Sequence, residues 1–411
     1  MNLQGTQIFA CEASEFSHNQ RRILAIAVAW GINALAYSIV YPFLPIYLHS
    51  IRGIPMSTVG VMYPIMGIAV IIGSPVSGVL TDRVGRRMLL IGGPVGRSCV
   101  FFALALMAVF DAPFVYIAAG LFFSTLLGQF FQNSANAYIT DLTSPDERAP
   151  AFSKVRVGLN VGWMLGPAIG SFLARTPFSL LFSLTATLCL VTASIPYKFC
   201  LRATVRKQEA AGLQRESFWT ILRHDHRLLL LLALTFTLFL SVAQFVSTLS
   251  IYATLIVGIS QTSLGFLYTL NGVLVILFLI PLNTWLKRTE IFERIGWGAL
   301  LYVIAYVGFG VSRCWGHLAL SMAVMTIGEM IALTAIVSAV SHMAPSQMVG
   351  RYMGLHGLVD GLGWAIGPFF GAILFEHLHS TPLFLWGFLA SGALIAGGSF
   401  LAWHFLTAAK N

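Results

Sequence analysis

Apolar residues run along this chain in twelve blocks, broken by short polar stretches. The blocks fall near 22–48, 57–80, 88–110, 114–140, 154–174, 178–197, 228–256, 263–286, 295–312, 316–342, 352–376 and 382–407. Crossing the hydrocarbon core of a bilayer takes about 20 apolar residues in a helix. The pattern therefore predicts twelve membrane-crossing segments. Each is expected to be an α-helix, because a lone segment in lipid must satisfy its own backbone N–H and C=O groups.

The polar breaks are not equivalent in charge. With the N-terminus placed in the cytoplasm, that side collects 20 Lys and Arg residues, among them Arg83, Arg86, Arg87, Arg148, Lys287 and Arg288. The other side holds 3, namely Arg52, Arg175 and Arg313. Arg97 lies well inside the third block. This asymmetry predicts that both termini are cytoplasmic. One break stands apart, since residues 198–227 carry 10 charges between the sixth and seventh blocks. It is expected to be a cytoplasmic linker between a six-helix bundle over 1–197 and a second over 228–411, with a surface helix around 216–226.

Composition supports the membrane reading and removes others. Of 411 residues 57% are hydrophobic and 9% charged, against about 25% charged in a soluble domain. The net charge of +9 does not indicate nucleic acid, because the basic residues sit in loops and form no continuous stripe. The five cysteines, at 11, 99, 189, 200 and 314, are scattered and give neither a disulfide framework nor a metal site. The first twenty residues are polar, include Glu12 and Glu15, and lack the basic-then-apolar order of a cleavable signal. The first span is therefore expected to be retained.

The two halves repeat. The fifth block contains Gly162-Trp163-Met-Leu-Gly166-Pro167-Ala-Ile-Gly170, and the eleventh contains Gly363-Trp364-Ala-Ile-Gly367-Pro368-Phe-Phe-Gly371, 201 residues further on. The same shift maps Arg86-Arg87 onto Lys287-Arg288 and Asp82 onto Asn283. Two distant matches at one offset predict an internal duplication, with the halves related by pseudo-symmetry. In transporters so built the binding site lies near the bilayer midplane at the repeat interface.

The break after the second block reads Gly78-Val-Leu-Thr-Asp82-Arg83-Val-Gly85-Arg86-Arg87. Here the chain resembles the major facilitator superfamily, whose signature between its second and third helices is Gly-x-Leu-x-Asp-Arg-x-Gly-Arg-Arg/Lys. The resemblance implies a latch on the cytoplasmic side that responds to proton binding. Gly78 is expected to allow close helix packing. Asp82 is expected to meet a cation and the next helix's N-terminus. Asp141, ending the fourth span, is expected to pair with the Asp82–Arg83 loop. The Gly162–Gly170 motif resembles the antiporter motif of the family's twelve-helix drug:proton antiporter branch, in which glycines let backbones touch and Pro167 can kink the helix. Segments at Asp141–Arg148, Arg156–Gly162, Leu267–Gly272 and Arg351–Gly354 are similar to that branch. One departure stands out: many relatives carry an Arg where this chain has Ser124, four residues before Gly128.

Ionisable residues inside spans cost roughly 2.5–3.5 kcal/mol on insertion scales, so each is a functional candidate. Glu329, mid-way through the tenth span, and Asp360, in the eleventh, are the candidate proton carriers. Arg97 is expected to pair with a carboxylate of another helix or to reach toward an interface. His356 is expected to be hydrogen-bonded near a helix end. Polar and aromatic residues within spans give a candidate cavity lining: Asn33, Tyr37, Tyr41, Gln129, Gln132, Asn136, Asn160, Trp163, Gln244, Tyr268, Asn271 and Trp364. Such a surface suits amphipathic or cationic organic molecules.

The function expected is proton-coupled efflux of small organic compounds by a monomer in the cytoplasmic (inner) membrane. Its partners are the substrate, protons and lipid, with no cofactor, metal or nucleic acid. A dedicated exporter of one metabolite, siderophore or lipid-like molecule is the narrower alternative, and a transport-silent receptor is another. No catalytic arrangement or phosphate loop is visible, which argues against an enzyme.

Overall fold

A computed structural model describes residues 3–173, 176–200, 225–345 and 348–408, with side chains from Asn19 onward except at 82, 145, 146, 149, 350, 407 and 408. Among the described residues the chain is helical throughout. The long helices are α1 (Leu3–Val40), α2 (Met62–Val84), α3 (Arg86–Val109), α4 (Phe114–Leu142), α5 (Pro145–Leu173), α6 (Phe178–Phe199), α7 (His226–Val242), α8 (Gln261–Trp285), α9 (Ile291–Gly310), α10 (Trp315–Met343), α11 (Val349–Leu378) and α12 (Pro382–Ala408). Eleven membrane spans are long and apolar enough to cross a bilayer by length and composition. The remaining one, α5, is 29 residues long. Its glycines, Pro167, Asn160 and Arg156 dilute its apolar character, so the motif that shapes the helix also hides it from a hydropathy criterion. Most of the expected linker lies outside the described residues.

The shift of 201 seen in the motifs holds along the fold. Applied to α3 and α4, it gives 287–310 and 315–343, against observed helices Ile291–Gly310 and Trp315–Met343. It also recovers an irregularity. After α1 the helix tightens into a 3₁₀ turn at Tyr41–Phe43 before Leu44–Ile46, and after α7 it does so at Ala243–Phe245 before Thr248–Leu255. Pro42 and Pro45 account for the first break by removing backbone donors.

Contacts divide the described chain into two units. The first takes Met1–Val40 with Ile68–Gln208, and the second takes Tyr41–Gly67 with Glu209–Asn411. The chain therefore changes unit within its first two spans rather than in a loop.

In the first unit α1 lies along α5, and glycines set their separation. A Cβ on Gly162 would stand 2.7 Å from Ala34 Cβ and 2.8 Å from the Leu35 backbone nitrogen, and one on Gly31 would stand 2.9 Å from Gly158 O. Such contact is the membrane solution to helix association, because lipid gives no hydrophobic drive and packing must supply the attraction. Ser38 Oγ donates to Gly162 O at 3.0 Å, and Thr185 Oγ1 of α6 donates to Ala36 O at 3.0 Å. The α5 N-terminus is closed by Ser144 and Glu147. The Glu147 carboxylate accepts from Ser144 N (3.0 Å) and Ser144 Oγ (2.9 Å), and these bonds hold its pKa below the ordinary value.

In the second unit α11 lies along α7 in the same manner. Cβ atoms on Gly363 and Gly367 would collide with Phe239 and with Leu240 O and Ala243. Trp386 of α12 is fully buried against Tyr252, Tyr306 and Phe309. The segment Tyr41–Gly67 docks on α11. A Cβ on Gly60 would meet Ala372 Cβ at 2.6 Å, and Ser57 N donates to Glu376 Oε2 at 2.6 Å. Outward apolar side chains such as Ile280, Leu320 and Phe384 remain exposed, as a lipid-facing surface requires.

The glycine contacts predict that Gly162→Val, which must push α1 away, lowers the thermal unfolding midpoint in detergent by several degrees. Overpacking of this kind typically costs about 1–3 kcal/mol. Gly357→Ala, where a Cβ meets nothing within 4 Å, should leave the midpoint unchanged or raise it. Equal midpoints for both variants would refute the spacing role.

Candidate functional site

The loop between α2 and α3 turns at Gly85, whose φ of 90° and ψ of 150° are accessible essentially to glycine alone. That turn starts α3 with Arg86 and Arg87 in its first turn. Arg86 forms an ion pair with Asp141 at the end of α4. Arg87 donates to Tyr197 O at 2.9 Å and lies over the Tyr197 ring at 5.6 Å. Asp141 thus meets this loop through Arg86. The Asp82 side chain lies outside the described residues, and Arg83 is exposed. Gly78 differs from expectation, since a Cβ there would find nothing within 4 Å and no close packing depends on it.

Arg97 is the next feature of the first unit. It is 4% exposed, and among the described residues it pairs with no carboxylate. Its Nε donates to Ser124 Oγ at 3.2 Å and its Nη1 to Asn33 Oδ1 at 2.9 Å. The guanidinium also lies 5.3 Å from the Tyr37 ring centre and 5.6 Å from that of Phe101. Tyr37 in turn meets Trp163 edge-on at 6.0 Å. The residue that departs from the family pattern, Ser124, is therefore the acceptor for a cation supplied by α3. Along α4, Gln129, Gln132 and Asn136 share one partly exposed face. Asn160 of α5 is half-buried.

In the second unit Glu329 sits on α10. Asn271 Nδ2 of α8 donates to Glu329 Oε2 at 3.0 Å and to Thr326 Oγ1 at 2.9 Å. Towards the end of α8, Asn283 accepts from Arg294 (2.6 Å) and Thr334 (2.7 Å), tying α8 to α9 and α10. Asp360 lies one turn after His356 on α11. Asp360 Oδ1 and His356 Nδ1 are both buried without a hydrogen-bond partner. Trp364 lies a further turn on, and the His356 ring lies 6.2 Å from that of Phe239. His356 is thus not held by a hydrogen bond at Nδ1, contrary to expectation.

Three residues of the expected lining are occupied in packing within the second unit. Tyr41 is buried edge-on against Tyr63. Gln244 is 1% exposed. Its amide donates to Leu240 O (2.8 Å) and Gly367 O (2.7 Å) and accepts from Thr248 (2.8 Å). Tyr268 bonds Phe245 O and Ser250, each at 2.7 Å. Sequence alone cannot separate such residues from cavity residues, because both are polar groups within an apolar helix.

The shift of 201 exposes a relation between the two charged places. Gly128, beneath the Arg97 guanidinium with Nη1 3.6 Å from a built Cβ, maps onto Glu329, and Arg97 maps onto Gly298. Phe101 maps onto Tyr302. One half carries a cation on its third helix facing a glycine on its fourth. In the other half the carboxylate is on the helix equivalent to the fourth, and the glycine is on that equivalent to the third. This was legible in the sequence once the repeat was aligned, but only the contacts gave it meaning.

These features define a multi-pass membrane transporter built from two related six-helix halves. The sequence profile of the Major Facilitator Superfamily matches residues 26–313, and the chain belongs to that family, whose members are transporters and not enzymes. Among its relatives, the uncharacterized MFS-type transporter YqjV of Bacillus subtilis is 25% identical over 378 residues, 90% of each chain. Multidrug resistance protein MdtH of Cronobacter sakazakii is 28% identical over 334 residues, 80% of each chain. The crystal structure of the nucleoside transporter NupG (D323A mutant) aligns with a TM-score of 0.77 at 12% identity, covering 93% of this chain and 99% of that one. A bacterial homolog of the human lysosomal transporter Spinster aligns with a TM-score of 0.72 at 14% identity, covering 94% of each. At these identities the solved structures establish the fold alone.

The hydrogen bonding of Gln244 predicts that Gln244→Leu destabilises the protein, because the Gly367 carbonyl and the Thr248 hydroxyl each lose a partner. A net loss of about 1 kcal/mol per bond should appear as a lower unfolding midpoint in detergent. An unchanged midpoint would return Gln244 to the candidate lining.

Proposed function

We propose that this transporter exports small organic or amphipathic compounds in exchange for protons, working from the inner membrane with both termini in the cytoplasm. The observation that carries the reading is Asp360, a carboxyl buried in a membrane helix with one oxygen that has no hydrogen-bond partner. Ionisable side chains within a span are costly, and those that persist mark proton and substrate pathways. Glu329, clasped by Asn271, is the second carrier. The likeness to MdtH, a multidrug resistance protein, supports a small organic cargo, and the Gly162–Gly170 motif supports antiport by resemblance.

Transport then proceeds by alternating access. A proton arriving from outside and a substrate arriving from inside favour opposite conformations, so each is released as the other binds. The Arg86–Asp141 pair, with Gly85, Arg83 and Arg87, acts as the cytoplasmic latch. Tyr37, Trp163, Asn160, Gln132, Asn136 and Trp364 remain the substrate-facing candidates, while Asn33, 4% exposed, accepts from Arg97.

In energised everted vesicles, Asp360→Asn is expected to abolish proton-driven substrate movement while exchange of labelled for unlabelled substrate without a gradient persists. Glu329→Gln is expected to behave likewise. Full uphill transport by Asp360→Asn would sink the assignment on which this reading rests.

The latch has its own test. Arg86 and Asp141 side chains are 15% and 34% exposed, so breaking the pair should cost stability only about 0–1 kcal/mol. Arg86→Asp and Asp141→Arg should each slow transport severalfold, and the double exchange should restore it. Single variants that transport at the normal rate would exclude a gating role.

A further inference from the structure

We propose that Arg97 receives the carboxylate of the transported molecule, which makes an organic monocarboxylate with an aromatic or apolar body the substrate class. The inference rests on the transport reading above and narrows it.

The first ground is an unbalanced charge. Arg97 is 96% withdrawn from solvent, being 4% exposed, and a guanidinium stays protonated under all ordinary conditions. Its hydrogen-bond acceptors are neutral, a serine hydroxyl and an asparagine carbonyl. No acidic side chain pairs with it among the described residues. In the first unit Asp141 is committed to Arg86 and Glu147 to Ser144. An arginine within a span is costly, and those that persist face cavities or pathways where a partner arrives.

The second ground is spare donor capacity. Of the five N–H groups, one on Nε and one on Nη1 are used. The second N–H of Nη1 and both of Nη2 have no partner among the described residues. A planar carboxylate accepts from a guanidinium edge through two oxygens. A phosphate dianion would call for a second cation, and no interaction places one beside Arg97 among the described residues. The acid therefore fits better than the phosphate.

The third ground comes from the repeat. If helix packing required a cation here, the equivalent position in the other half would carry one. It is Gly298, where even a Cβ would stand 2.9 Å from Gly328 O and 2.8 Å from Ala332 Cβ. The fold is thus satisfied without the charge, and Arg97 is an addition to it. The surroundings complete the class of ligand. Tyr37 lies between the guanidinium and Trp163, and both rings are half-buried. An aromatic body can lie against them while its carboxylate takes the free N–H groups, with Tyr37 turning aside to admit it.

The test compares two probes of one shape, 2-naphthoate and its neutral amide 2-naphthamide, for equilibrium binding to the purified full-length protein in detergent. The wild-type protein is expected to bind the acid at least tenfold more tightly than the amide. Arg97→Gln should erase that preference while still binding the amide, and Arg97→Lys, which keeps the charge but not the planar fork, should retain part of it. Equal affinity of the wild-type protein for acid and amide overturns the proposal, whatever the variants do. A preference that survives intact in a folded Arg97→Gln protein overturns it too. Binding is read without a proton gradient, so this result is independent of the vesicle experiments that decide whether the protein exchanges substrate for protons.

Discussion

Backbone carbonyls in lipid cannot turn to water, and this restriction shapes the molecule more than any side chain. It forces every crossing segment into a helix. It also removes the hydrophobic drive between helices, leaving closeness of approach as the main source of cohesion. The glycines of α5 and α11 answer that demand. Gly162 and Gly166 bring α5 onto α1, and Gly363 and Gly367 bring α11 onto α7. Where backbones touch, a hydroxyl or amide can bridge them, as Ser38 does to Gly162 O and Gln244 to Gly367 O. The polar groups inside the halves are placed by these contacts.

Against such a background the buried charges fall into two kinds. Some serve cohesion, such as Arg294, held by Asn283 where α8 meets α9. Others lack a full set of partners. Asp360 has an oxygen without a donor, and Arg97 has donors without acceptors. The distinction is one of degree, since Arg294 also keeps a buried Nε without an acceptor, but Arg294 ties two helices together through Asn283 while the free groups of Asp360 and Arg97 tie nothing.

The fold was legible in the sequence because its determinants are long-period signals. Block length gave the helices, and the single offset gave the two halves. The exception, α5, reads weakly as a span for the same reason that it packs well. The site was less legible. Arg97 could be located within a span, but its neutral partners come from α1 and α4, distant in the chain and brought together only by folding. Tyr268 and Gln244 are indistinguishable from cavity residues by type, and their buried bonds alone show what they do. The change of unit at Tyr41 and Gly67, within helices, has no compositional marker at all.

The exchange of Arg97 and Gly128 in one half for Gly298 and Glu329 in the other also bears on descent. A gene that doubles itself begins with two copies of each half-site, equal in charge and therefore equal in what they attract. Substrate and proton cannot be told apart by identical pockets. Between the span positions compared here, one copy holds arginine where the other holds glycine, and the carboxylate appears on the opposite member of the helix pair. The two halves thus keep one helix plan while carrying opposite charges at corresponding addresses, so that whatever meets the first copy meets a cation and whatever meets the second meets an acid.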